Sequence, residues 1–168
     1  KIKLIFMCGF LGQLSNRRIN KTVDLSLIKK LISHRGPDSF KSIFFNDKVF
    51  GAFARLSITD LSINSDQPMS SPCGKYHLMF NGEIYNYLEL KSILESKNWV
   101  FKSSGDTEVL LAGLIVFGVD FLTKIDGIFA FSFVNNNDGS ILLARDRMGV
   151  KPLYYSIIEE SDSVSLVF

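Results

Sequence analysis

Apolar positions along this chain follow a helical period in three segments and a strand-like pattern almost everywhere else. Leu25, Ile28, Leu31 and Ile32 recur at helical spacing, with Asp24 placed to cap the start and Gly36-Pro37 to prevent continuation. Tyr87, Leu90, Ile93 and Leu94 form a second stripe that ends before Asn98. A third helix is expected from Asp106-Thr107-Glu108, whose acidic side chains suit a helix N-terminus, through Leu110, Leu111, Leu114 and Ile115 to Gly118. Segments 8–14, 42–46, 49–57, 77–81, 128–134, 140–145, 153–158 and 164–168 are rich in Phe, Val, Ile and Tyr and read as strands. Asn136-Asn137-Asp138-Gly139 between two of them reads as a hairpin turn, because Asp-Gly accepts positive φ. Strands, then helices, then strands again predict an α+β protein of antiparallel sheets with helices packed outside. No repeat or linker-like stretch divides the chain, so one domain is the simplest organisation. The chain stops at Phe168 inside an apolar strand-like run, and a domain truncated at that end is the expectation.

Composition narrows the picture. A chain of 168 residues, 46% hydrophobic and 21% charged, can bury a sizeable core. Its net charge of +2 is dispersed, which argues against nucleic acid and against an anionic membrane surface. No stretch approaches the roughly 20 apolar residues of a membrane span. Lys1 and Lys3 before Leu4-Ile5-Phe6-Met7 look like the start of a signal peptide. Gly9, Gly12 and Gln13 interrupt that run too soon, however, and no small-residue cleavage site follows. Two cysteines, Cys8 and Cys73, are too few for a disulfide scaffold, so a reducing cytoplasm is expected.

Four polar clusters break the apolar pattern: His34-Arg35-Gly36-Pro37-Asp38 at a helix end, Arg55-Leu56-Ser57 closing a strand, Asn81-Gly82-Glu83-Ile84-Tyr85-Asn86 between strand and helix, and Ser104-Gly105-Asp106-Thr107-Glu108 opening the long helix. Junctions of this kind hold loops on rigid elements with free backbone N–H groups facing outward. Taken singly, each has a plainer reading. Asp106 could cap its helix, Asn81-Gly82 could be a turn, Arg55 a surface ion pair, and His34 a surface or capping residue.

Met7-Cys8-Gly9 adds chemistry. A cysteine that becomes the first residue carries both a thiol and an α-amine. The amine titrates at roughly 7.7–8.0 and the thiol at about 8.5, so the amine can serve as the thiol's base near neutral pH. While residues 1–7 remain, the nitrogen of Cys8 is an amide without basicity.

The stretches MCGFLG, SHRGPD, ARLSITDLS, QPM, FNGEIYNYLELK, SGDTEVLL, DGIFAF and ARDRMGVKPLYY, running in this order from Met7 to about Tyr155, resemble the class II glutamine amidotransferase domain, an N-terminal-nucleophile hydrolase. Arg55-Leu56 and Phe80-Asn81 stand where other members of the class carry Arg-Trp or Arg-Tyr and His-Asn, so within the class the chain is most similar to the glutaminase half of glutamine-hydrolysing asparagine synthetase. The resemblance implies a four-layer αββα sandwich of two mainly antiparallel sheets. It also implies roles. Cys8 attacks the glutamine side-chain carbonyl, and the Asn81 amide and Gly82 N–H hold the oxyanion. Arg55 clamps the α-carboxylate, and Asp106 binds the α-ammonium with help from Glu83. A glycine at position 82 would suit close approach of backbone to substrate. The step needs no metal or other cofactor.

Further expectations follow from the same resemblance. Residues 1–7 form an extension that is removed or artefactual, and 8–168 form the glutaminase domain. ATP and Mg belong only to a synthetase domain, found in the full-length chain or as a separate subunit. No Ser-Gly-Gly-x-Asp-Ser pyrophosphate loop occurs in this sequence. A homodimer is one option for assembly. Two alternatives stand beside this reading: a glutaminase module serving another acceptor, for example in cell-surface sugar biosynthesis, or a non-catalytic binding module if the extension is retained.

Overall fold

Asp24 caps the first helix, α1 (Leu25–Ile32), as its position predicts. Its carboxylate accepts the backbone N–H groups of Ser26 and Leu27, each at 3.0 Å, satisfying donors the helix itself cannot. The structure is a computed structural model describing residues 8–19, 23–56 and 66–168. The extension 1–7, the expected strand end at Ser57 and the Ser57–Ser62 part of the ARLSITDLS stretch lie outside the described residues. The described residues form two compact units, one from residues 8–56 and 154–168, the other from 66–153.

The first unit is a five-stranded sheet with β1 (Gly9–Ser15) at its centre. On one side lie β3 (Val49–Arg55) and then β2 (Ser39–Phe44); on the other, β9 (Ser163–Val167) and then β8 (Ser156–Glu160). Every pairing is antiparallel. β3 is buried from Val49 to Ala54, whereas β2 alternates between exposed and half-buried positions as an edge strand does. Ile28 and Ile32 of α1 pack against Phe50, Ala52 and Ala54. Leu25 and Leu31, expected on the same buried stripe, are 44% and 54% exposed. The apolar arc of α1 is wider than its contact with the sheet, so only the i, i+4 pair reaches the core. The last residue closes on the first strand. Gly12 and Phe168 exchange both backbone hydrogen bonds, at 2.8 and 3.0 Å, and the Phe168 ring packs edge-on against Phe10.

The second unit is a four-stranded antiparallel sheet in the order β4 (Met69–Ser70), β5 (Tyr76–Ile84), β6 (Gly127–Asn135), β7 (Ser140–Arg145). The two-residue β4 has no periodic signal in the sequence. The expected turn joins β6 to β7, with Gly139 at φ +72°. One face of the sheet, from Leu78, Phe80, Ile84, Phe129 and Phe131, packs with Leu90 and Leu94 of α2 (Tyr87–Glu95) and Val109, Leu110 and Leu114 of α3 (Asp106–Phe117). A 3-10 helix (Gly118–Thr123) follows α3 and inserts Phe121 into this core. α3 is apolar nearly all round and correspondingly buried from Thr107 to Leu114. Among the described residues, no helix is long and apolar enough to cross a membrane. Each unit thus joins an antiparallel sheet to helices, the α+β arrangement expected from the order of elements.

Candidate active site

In the first unit, sheet register brings the cysteine and the arginine together. Gly9 pairs with Ala54, so Cys8 at the start of β1 lies beside Arg55 and Leu56 at the end of β3. The Leu56 N–H donates to Cys8 Sγ at 3.3 Å, and the thiol lies 3.6 Å from the Leu56 carbonyl. Burial pushes the Cys8 thiol pKa up. The Leu56 contact and the positive charge of Arg55 pull it back only in part, and the negative charge of Asp38 adds to the rise. A thiol in this setting stays protonated near neutral pH and needs a base to become a nucleophile.

The His34–Asp38 loop supports this corner. A side chain at Gly9 would meet Arg35 Cβ at 2.8 Å, so Arg35 lies directly against the residue after the cysteine. A side chain at Gly36 would stand 2.3 Å from the Ala54 carbonyl oxygen, and the Asp38 N–H donates to the Arg55 carbonyl at 3.1 Å. The turn after α1 therefore packs on the backbone of β3 next to Arg55.

In the second unit, β5 carries Asn81, Gly82 and Glu83. Asn81 is buried on the face of β5 opposite the one that Leu78, Phe80 and Ile84 turn to the helices; Glu83 is exposed on that same face. The hydrogen-bonding edge of β5 away from β6 is more informative. The outward groups there belong to alternate residues. Leu78 pairs with Met69 of β4. Phe80 bonds twice to the side-chain amide of Gln67, its N–H to Oε1 at 2.6 Å and its carbonyl from Nε2 at 3.0 Å. The Ile84 N–H donates to Asp106 Oδ2 at 3.0 Å. Between them stands Gly82, whose N–H and carbonyl take no partner among the described residues.

Asp106 does not cap its helix. The cap position is Gly105, and Asp106 is the first helical residue, with its carboxylate turned to β5. Burial is the main cause of its raised pKa and the like charge of Glu83 adds to it, against the N–H groups of Ile84 and Thr107. Glu108, two residues further, holds the preceding loop in place. Its carboxylate accepts the N–H of Lys102 at 3.0 Å and the N–H and hydroxyl of Ser103 at 2.6 and 2.7 Å.

The reason for glycine at position 82 also differs from expectation. A Cβ there would stand 2.2 Å from the Ile128 carbonyl oxygen and 2.6 Å from Phe129 Cα, so the close approach that demands glycine is that of β6. Gly82→Ala is therefore expected to destabilise the fold by about 2 kcal/mol or more, because backbone cannot yield as a side chain can. Urea unfolding checks this, and an unchanged midpoint would refute it.

The structure thus gathers the predicted residues into two sets: Cys8 with Arg55 in the first unit, and Asn81, Gly82 and Glu83 with Asp106 in the second. Gln67, which bonds to β5 beside the second set, was not singled out by charge or spacing, although it falls in the QPM stretch; Glu108 was read only as an acidic residue at a helix start, not as the anchor of the loop before it. A cavity of about 340 Å³ in the second unit, lined by Arg145, Asp146, Arg147 and neighbours, contains none of these residues. Asp146 is buried there and accepts N–H groups from Phe129, Val150 and Lys151, so it anchors the 146–151 turn.

The family described as "Glutamine amidotransferase domain" matches residues 7–167. "Asparagine synthetase [glutamine-hydrolyzing] 1" of Bacillus subtilis is 42% identical over 92% of this chain and 25% of its own length. "Asparagine synthetase [glutamine-hydrolyzing] 1" of Arabidopsis thaliana is 36% identical over 88% of this chain and 25% of its own length. The chain therefore spans about a quarter of these relatives. Among solved structures, the glutamine phosphoribosylpyrophosphate amidotransferase of B. subtilis aligns with a TM-score of 0.55 at 24% identity, over 73% of this chain and 28% of that one. This likeness speaks to the fold alone, antiparallel sheets with a few helices. The family match across nearly the whole chain and the 42% identical relative show that this chain belongs to the class II glutamine amidotransferase family.

Proposed function

We propose that the chain hydrolyses the side-chain amide of glutamine and supplies the ammonia to an ATP-dependent amidation of the asparagine-synthetase type. The observation that carries this reading is the edge of β5, where Gly82 presents its N–H between two positions already partnered by Gln67 and Asp106. An unpartnered backbone donor held on a rigid strand beside an asparagine amide is what an oxyanion requires.

The reaction divides between the two sets of residues. Cys8 Sγ forms a bond to the glutamine amide carbon while its proton passes to the α-amine of Cys8. The Asn81 amide and Gly82 N–H take the negative charge that develops on the carbonyl oxygen. The proton then moves to the departing nitrogen and ammonia leaves, with a thioester on Cys8. Water attacks the thioester, glutamate departs and the thiol is restored. Arg55 suits the substrate α-carboxylate, to which a guanidinium offers a planar pair of donors, and Asp106, assisted by Glu83, suits the α-ammonium. Two opposite charges at one end and an amide at the other describe glutamine. ATP and Mg belong to the amidation step, on a synthetase domain of the kind the much longer relatives have room for, and the cytoplasm is the compartment that suits a reactive thiol.

The α-amine provides the test. Protein whose first residue is Cys8 should release glutamate from glutamine, whereas protein retaining residues 1–7 should do so at least about 10²-fold more slowly, the usual contribution of a positioned base. Intact mass identifies which form is assayed. Equal rates in the two forms would overturn the role given to the amine.

A further inference from the structure

We propose that Gln67 is a positioning residue for the oxyanion donors, acting as a side-chain substitute for a strand; this rests on the glutaminase reading above. β4 pairs with β5 for only two residues, Met69 with Leu78 and Ser70 with His77. Counting back in the same register, residue 67 falls opposite Phe80. There the ladder continues with the Gln67 side chain in place of its main chain. Phe80 N–H reaches Oε1 at 2.6 Å and Nε2 reaches the Phe80 carbonyl at 3.0 Å, the two bonds a neighbouring strand would have made. Gln67 is itself buried.

A carboxamide is suited to this place because it presents one donor and one acceptor side by side, as a peptide group does. It also ends where it bonds. A continuing strand would pair next with Gly82, the following outward position, and occupy its N–H. The Gln67 amide satisfies Phe80 and leaves Gly82 open. Asp106 does the same from the other side at Ile84. The peptide segment carrying Asn81 and Gly82 is thereby fixed at both ends, one residue before Asn81 and two after Gly82. Donors to an oxyanion act through their exact placement before the reaction begins, so a segment free to shift loses transition-state stabilisation while ground-state recognition by charge persists.

The test uses the natural full-length protein with Gln67→Met, which keeps the length of the side chain and removes both bonds, and Gln67→Glu, which keeps the acceptor and places a carboxylate oxygen against the Phe80 carbonyl. For both, kcat for glutamine hydrolysis should fall about 10- to 100-fold, less than the roughly 10²–10³ expected for deleting an oxyanion donor outright, with KM changed less than about threefold. Glutamate γ-semialdehyde, which forms a tetrahedral adduct with a thiol, should lose affinity in parallel with kcat, and glutamate should not. Gln67→Glu should recover activity as pH is lowered, because a protonated carboxyl again offers one donor and one acceptor. Folded variants with wild-type kcat, or with a loss confined to KM, would overturn the inference. So would loss of the folded state in both, since Gln67 would then be structural alone. Wild-type protein without glutaminase activity would overturn the functional reading and this inference with it; active wild type beside unaffected variants would overturn only the inference.

Discussion

Cys8→Ala is expected to abolish glutamate release from glutamine, by about 10³-fold or more, without unfolding the protein. The size follows from the route. Removing a nucleophile removes the thioester path entirely, and losses of this order or greater are usual when a covalent catalyst loses its attacking atom. The fold should tolerate the change, because the thiol's interactions are with the Leu56 backbone at 3.3 and 3.6 Å, on the rim of a half-buried corner. Glutamate formation is measured with both proteins at equal concentration, and equal rates would refute the role of Cys8. Substitution is a cleaner test than alkylation. Cys73 is exposed, and hydrogen bonding by the Ser71 side chain and the Lys75 backbone lowers its pKa, so a thiol reagent meets a readier target there than at the half-buried Cys8.

Asp106→Asn is expected to weaken glutamine use while making the protein more stable at neutral pH. Burial and the like charge of Glu83 raise the Asp106 pKa above its ordinary value. A carboxyl with a raised folded-state pKa binds its proton more tightly in the folded than in the unfolded chain. Its favourable contribution is therefore complete below the unfolded value, about pH 3.9, and is lost as pH rises through the folded value. Above that, the ionised group is a cost. Asparagine removes the cost and can still accept the Ile84 N–H, so the thermal midpoint should rise at pH 7 and the gain should shrink as pH approaches 4. Glutamine recognition moves the other way. Removing one partner of a desolvated charge pair costs about 2–5 kcal/mol, so KM should rise about 10²-fold. Thermal unfolding at the two pH values and glutaminase kinetics at pH 7 check both halves; an unchanged KM would refute the contact with the substrate ammonium.

Much of the architecture was legible without coordinates. The caps and breakers around α1, the acidic start of α3 and the Asp-Gly turn at 138–139 act within a few residues, so local physics decides them. The candidate residues were legible in another way: taken singly each had a plainer reading, and only the ordered motifs that resemble the glutamine amidotransferase domain implied a nucleophile, an oxyanion pair and a clamp for each charged group. Local pattern failed where a partner lies far along the chain. Leu25 and Leu31 fit a helical stripe, but only the contact with β3 shows which part of the stripe is covered. β4 has two residues and no period, and exists because β5 offers it an edge.

The sequence by itself determined which chemical groups are present and which helices and turns carry them, because side-chain chemistry and short-range backbone preferences need no distant partner. Only the tertiary structure decided which groups are engaged. Gly82 is a glycine because β6 approaches its Cα, Asp106 is tied to β5 instead of capping its helix, and Gln67 ends a ladder with its side chain. Each of these depends on contacts between residues 13 to 47 positions apart, which no local pattern encodes.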